Sequence, residues 1–174
     1  MKRVFLTATL IITSAYLLQA QDKKTEEQAI NNVLQTLSTG WNEKSGEKFA
    51  SAFAEVHDYI VVHGTYLKEF RREQNAKVHQ QLFDGIYKNS RIELKTDKIS
   101  WYKDNLVQLT AIAGNYPAGQ PRPKEPTAIM TIMLEKKSNG WKIISFHNHG
   151  LDMEAIKRAS PMPLEVMYAS WYKN

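Results

Sequence analysis

Two histidines in the stretch IISFHNHG (143–150), His147 and His149, carry the first chemical possibility in this 174-residue chain. If the stretch is a strand, residues at i and i+2 leave the same face. Three readings are open: a pair of metal ligands, an acid/base pair in a pocket, or packed residues at a strand end. Alternation groups both rings with Trp141, Ile143 and Ser145, on a face expected to line a pocket. It sets Lys142, Ile144, Phe146 and Asn148 on the other face, expected to meet a partner subunit. His63 ends an earlier strand-like run and His79 stands mid-way along a helix-like one, so four histidines could approach one opening. Zinc needs three or four converging ligands. No third His or Cys shares the hairpin, so no metal is expected and His147 is expected at the pocket edge. An imidazole can serve as a general acid or base because its ordinary pKa is near neutral. His147 and His63 are the first candidates for that role. Asp58, a carboxylate at a strand start, is the third.

Aromatic residues form the second constellation. Trp41, Phe53, Tyr59, Trp101 and Trp141, with His79, are spread over several elements. They read either as plain core or as the walls of a pocket for a flat apolar molecule. Other chemistries are not supported. The chain has no cysteine for thiol redox work or disulfides. It has no Gly-rich dinucleotide fingerprint and no Gly-x-Ser-x-Gly elbow. No cofactor is expected.

The elements that would position these residues follow from periodicity. Thr25 to Leu37 predicts an amphipathic helix, with Thr25-x-x-Gln28 as capping box and Gly40 as terminator. A second short helix is expected over 45–54, a strand from His57 to Gly64, and a helix over 70–86. Four long strands follow: 91–102, 106–116, 127–137 and 141–149. Lys103-Asp104-Asn105 and Ser138-Asn139-Gly140 are hairpin turns, and Pro117 to Pro126 forms an irregular crossover. Helices early and a meander late indicate α+β, with three N-terminal helices on a curved, mostly antiparallel sheet that encloses an apolar cavity.

The ends of the chain bear on compartment. Lys2-Arg3, the apolar run Val4–Leu18 and Ala20 have the layout of a signal peptide over 1–20, too short to span a bilayer. Export to the periplasm or beyond is expected, with no stable membrane anchor after cleavage. Removing Lys2 and Arg3 lowers the formal charge from +5 to +3. That excess is read as solubility, and no nucleic-acid partner is expected. Residues 21–150 make one domain, and 151–174 an extension packed on it or on a dimer.

Gly40-Trp41-Asn42, FASAFAEVHDYIVVHG (49–64), HQQLF (79–83), KNSRIEL (88–94) and GWKIISFHN (140–148) occur in an order that resembles SnoaL-like proteins of the nuclear transport factor 2 (NTF2)-like superfamily, nearest the SgcJ/EcaC type. The resemblance implies a cystatin-like α+β cone and a homodimer through the outer sheet face. That fold hosts isomerases, cyclases, dehydratases and non-catalytic binders. Three functions therefore remain: a binder of an unknown small apolar molecule, a cofactor-free acid/base enzyme, or a non-catalytic dimeric scaffold. The run Lys68–Asn75 departs from the family pattern before the third helix, and the tail after Asn148 passes its usual end.

Overall fold

The computed structural model describes the backbone of residues 3–173 and the side chains of residues 21–173. The expected signal segment, 1–20, lies outside the residues whose side chains are described. The order is α1 (Arg3–Asn42), α2 (Gly46–Ala50), β1 (Phe53–Ile60), β2 (Tyr66–Arg71), α3 (Arg72–Asp84), β3 (Ser90–Lys103), β4 (Leu106–Pro117), β5 (Ala128–Lys137) and β6 (Gly140–Gly150). Three short helices end the chain: α4 (Met153–Ala159), α5 (Leu164–Met167) and α6 (Ala169–Tyr172). The six strands form one sheet in the order β2-β1-β6-β5-β4-β3. Only the β1–β6 pair is parallel. No helix among the described residues is long and apolar enough to cross a membrane.

Several boundaries differ from expectation. Thr25 is no cap. It lies inside α1, where its hydroxyl donates to the Gln21 carbonyl (2.9 Å). Gly40 does not end the helix either. A Cβ there would lie 2.6 Å from Phe49 Cα, so this glycine lets α2 pack directly against α1. Strand β2 replaces the expected start of the third helix. Its bulge is held by Asp58, whose carboxylate accepts from the Glu69 N–H (2.9 Å) and the Tyr66 hydroxyl (2.9 Å). Glu69 sits at φ 50°, a backbone region that side chains other than glycine visit rarely.

The inner face of the sheet packs on α1, α2 and α3. Ile30, Leu34 and Leu37 of α1 belong to one buried core with Phe53, Leu109 and Ile132. The outer face is partly covered by the C-terminal tail. Trp171, fully buried, lies on Gly114 of β4, while Tyr168 packs with it against Ile112. The Trp171 indole donates to the Lys124 carbonyl (3.2 Å), and the Arg122 guanidinium lies 4.0 Å above its ring.

One irregularity decides where the chemistry goes. β6 pairs with β5 as Leu134↔Ile143 and then Met133↔Ser145, so Ile144 is an extra residue, a β-bulge. Beyond it the alternation inverts. Phe146 (buried) and Asn148 point into the cone, and His147 and His149 point out and are exposed.

Candidate ligand-binding site

The cavity lies where the C-terminal end of α1, the β1–β2 hairpin, α3 and the end of β6 converge. It has a volume of about 400 Å³. Trp41, Tyr59, Val61, Leu67, Phe70 and Leu82 form its apolar walls. Trp41 is fixed because its indole N–H donates to Ser90 Oγ (3.0 Å). The next residue, Asn42, ties α1 to β3 by donating to the Ile92 carbonyl and accepting from its N–H, both at 2.9 Å. The Gly-Trp-Asn run thus sets the helix end and the aromatic wall together.

A buried polar chain backs one wall. The Nδ1–H of His57 donates to the Ala54 carbonyl (3.1 Å), which leaves Nε2 to accept from Asn75 Nδ2 (2.9 Å). The Asn75 backbone carbonyl in turn accepts from His79 Nδ1–H (3.1 Å). His79 stacks on Phe49, with ring centroids 4.1 Å apart. Burial pushes its pKa down to about 4, partly offset by the Asn75 bond. At neutral pH it is therefore a neutral imidazole with its proton on Nδ1. Nε2 has no partner among the described residues. Burial also lowers the pKa of His57. It raises that of Tyr59, whose hydroxyl stays protonated.

The residues expected at a site divide cleanly. Trp41, Tyr59, His79 and, at the rim, His63 line this cavity. Phe53 does not. It is fully buried in the core against His57, Tyr59 and Phe146. Trp101 and Trp141 meet edge to face (5.8 Å) at the other end of their strands, where the Trp141 indole donates to Glu26 Oε2 (2.7 Å). His147 is not a pocket-edge residue, because the bulge turns it outward. Asp58 is half-buried and is not among the residues that line the cavity, and its pKa is lowered by the Glu69 N–H and then the Tyr66 hydroxyl, so it is a pin for β2 and no cavity base.

Three residues were missed as participants. Asn148 lines the cavity, although alternation placed it on the subunit-facing side. Tyr87 packs on Trp41 at 4.7 Å. Asn75 is fully buried in the first turn of α3. Its signal was available: an asparagine four residues before His79, on the same helix face. No group of three or more His, Asp or Glu that could hold a metal occurs among the described residues.

No protein-family model matches the chain, and no curated protein matches it in sequence. Solved structures do match. A domain of unknown function with a cystatin-like fold from Nostoc punctiforme is 26% identical, covering 83% of this chain and 91% of its own, with a TM-score of 0.67. An NTF2-like protein with a cystatin-like fold from Novosphingobium aromaticivorans is 12% identical over 84% and 96%, TM-score 0.64. A protein from the same organism, provisionally assigned as a scytalone dehydratase, is 13% identical over 76% and 88%, TM-score 0.61. The architecture is the cystatin-like, NTF2-like α+β fold.

Proposed function

We propose that this chain is an exported SnoaL-like binding domain that holds a small apolar or aromatic molecule in the cavity between α1, α3 and the β1–β2 hairpin. One observation carries the reading. An aromatic-walled space of about 400 Å³ remains open in the cone, with few polar groups facing it. Sites for small molecules are concave, mostly apolar and of this size. A pure scaffold needs no such space. The test uses the mature protein and N-phenyl-1-naphthylamine, a neutral apolar probe that fluoresces when desolvated. One probe per chain is expected to bind with micromolar affinity, and Leu82→Trp, which fills the cavity, is expected to abolish binding while the protein stays folded. Undiminished binding to that variant, or no binding to the wild type, refutes the reading. Cleavage after Ala20 is part of the same proposal. N-terminal sequencing of exported material should then return Gln21.

A cofactor-free acid/base enzyme is the second reading, and it is favoured by His79. A neutral imidazole with Nδ1–H committed to a backbone carbonyl presents a lone pair on Nε2, the form a general base requires. The neighbour provisionally assigned as a scytalone dehydratase is compatible with such chemistry on this fold. Turnover of a bound carbonyl compound that disappears in His79→Phe, with binding retained, would move this reading first.

A further inference from the structure

The cavity has an inner chamber that the binding reading does not require. A second space of about 160 Å³ is bounded by Phe49, Ile92, Ala113, Met130 and Phe146, all buried. The two chambers share Trp41, Tyr59, Val62, Tyr87 and Asn148, so one elongated molecule can occupy both. The inner chamber carries polar groups of its own: Asn115, Thr127 and Asn148. Thr127 Oγ1 is engaged, accepting from the Asn115 N–H (2.9 Å). Asn148 is not engaged. Its Oδ1 is buried with no hydrogen-bond partner among the described residues. Buried carboxamide oxygens are nearly always paired, and leaving one unpaired is costly.

Charge narrows what can pair with it. Among the described residues, no Asp, Glu, Lys or Arg lines either chamber. A ligand bearing a carboxylate or an ammonium would lose its hydration with no counter-charge in return. The buried unpaired atom is an acceptor, so the ligand group that meets it must be a donor. An aliphatic amine would arrive charged, whereas a hydroxyl arrives neutral.

We propose that the inner chamber is a subsite for the hydroxyl of a neutral, elongated apolar ligand, which donates its proton to Asn148 Oδ1 while the apolar body lies in the outer chamber. This rests on the binding reading above and goes further by naming the ligand's polar group and its recognition residue. Asn148 is then the specificity-determining residue: the apolar walls hold any body of suitable shape, and Asn148 selects the one with a donor at its end.

The test is displacement of N-phenyl-1-naphthylamine by three probes of one shape: biphenyl, 4-phenylphenol and biphenyl-4-carboxylate. The expected order is 4-phenylphenol tightest, biphenyl about five- to tenfold weaker, as the loss of one hydrogen bond implies, and the carboxylate weakest. In Asn148→Leu, of similar shape, 4-phenylphenol and biphenyl should become equal while biphenyl binding is kept. Asn148→Ala repeats the comparison should the leucine variant not fold. Equal affinities in the wild type, or a phenol preference that survives both variants, overturns the subsite and leaves the pocket intact. Failure of all three probes, and of the fluorophore itself, overturns the pocket and the subsite together.

Discussion

Acidification tests the buried imidazole that the site is built around. In the unfolded chain His79 titrates near ~6.5. In the folded protein burial holds it down at about 4. The folded state therefore binds its proton later than the unfolded state. Above pH ~6.5 the ring is neutral in both states and contributes nothing to the pH dependence. As pH falls below that value the unfolded chain takes up a proton that the folded protein refuses, and stability drops by about 1.4 kcal/mol per pH unit. The loss reaches roughly 2 kcal/mol at pH ~5 and roughly 3 kcal/mol at pH ~4, where the folded ring also begins to protonate. That is a large part of the stability of an ordinary domain. His57 on β1, lowered by burial, acts in the same direction, while Asp58 and Glu55 beside it favour its charged form and soften the effect. The aromatic neighbours Phe49 and Phe83, and Tyr59 with its raised pKa, supply no compensating charge to His79. The assay is urea unfolding, followed by tryptophan fluorescence, between pH 7.5 and 4.5. That range keeps most carboxylate titration out of the comparison. His79→Phe preserves the stack on Phe49 and removes the titration. It is expected to flatten the stability profile by about 2 kcal/mol at pH ~5 relative to wild type. Identical profiles for the two proteins refute the assignment of a neutral, desolvated His79.

Three further outcomes are expected. A Cβ on Gly114 would come within 2.9 Å of Trp171 Cζ2 and 3.2 Å of Pro123 Cγ; Gly114→Ala should cost about 1–3 kcal/mol by overpacking, Trp171→Ala about 3–5 kcal/mol, and the alanine cost at 114 should vanish in the double variant, as chemical denaturation of the cycle will show. Asn42→Ala removes both side-chain bonds to the Ile92 backbone and should lower stability by about 1–3 kcal/mol, measured the same way. We propose that two copies pair through the part of the outer sheet face that the tail leaves open, around Thr131 and His147; light scattering at micromolar concentration should then return twice the chain mass, and a monomer mass assigns the cover of that face to the tail alone.

The α+β class and the four long strands were legible because their signals are local and repeated: β-branched alternation, hairpin turns, helix-period stripes. Strand β2 was not. Its residues, Tyr66 to Arg71, include Lys68, Glu69 and Arg71, and as an edge strand it needs little apolar character. Nor was Gly40 readable as a close-approach glycine, because the surface it meets, Phe49, arrives only after the chain has turned at Lys44 and Ser45. Trp41, Tyr59 and His79 were singled out from type and spacing, and the structure brings them to one cavity. Phe53, Trp101 and Trp141 were singled out on the same grounds and are packed elsewhere. Residue type cannot separate a cavity wall from a core when both are aromatic. That distinction depends on which end of each strand a residue occupies.

The placement of His147 turned on a smaller matter, and its cause was present in the sequence. Strict alternation from Trp141 sends Ile143, Ser145 and His147 inward and Phe146 outward. Of the large apolar residues at 141, 143, 144 and 146, no single parity can bury Trp141, Ile143 and Phe146 together. One extra residue restores them to one face, and Ile144 is that residue. Burying a phenylalanine is worth about 1.5–3 kcal/mol. Leaving it outside while turning two imidazoles inward would also desolvate ring nitrogens with no partners provided. Against this stands one interrupted rung of the ladder, about 0.5–1.5 kcal/mol of net hydrogen bonding. The bulge is the cheaper arrangement. It places Phe146 against Tyr59, ring centroids 4.8 Å apart, and by the same step carries Asn148 to the junction of the two chambers. A residue that is not among the walls of either chamber thus decides which polar group the cavity presents. The histidines that drew attention first are left on the outer face.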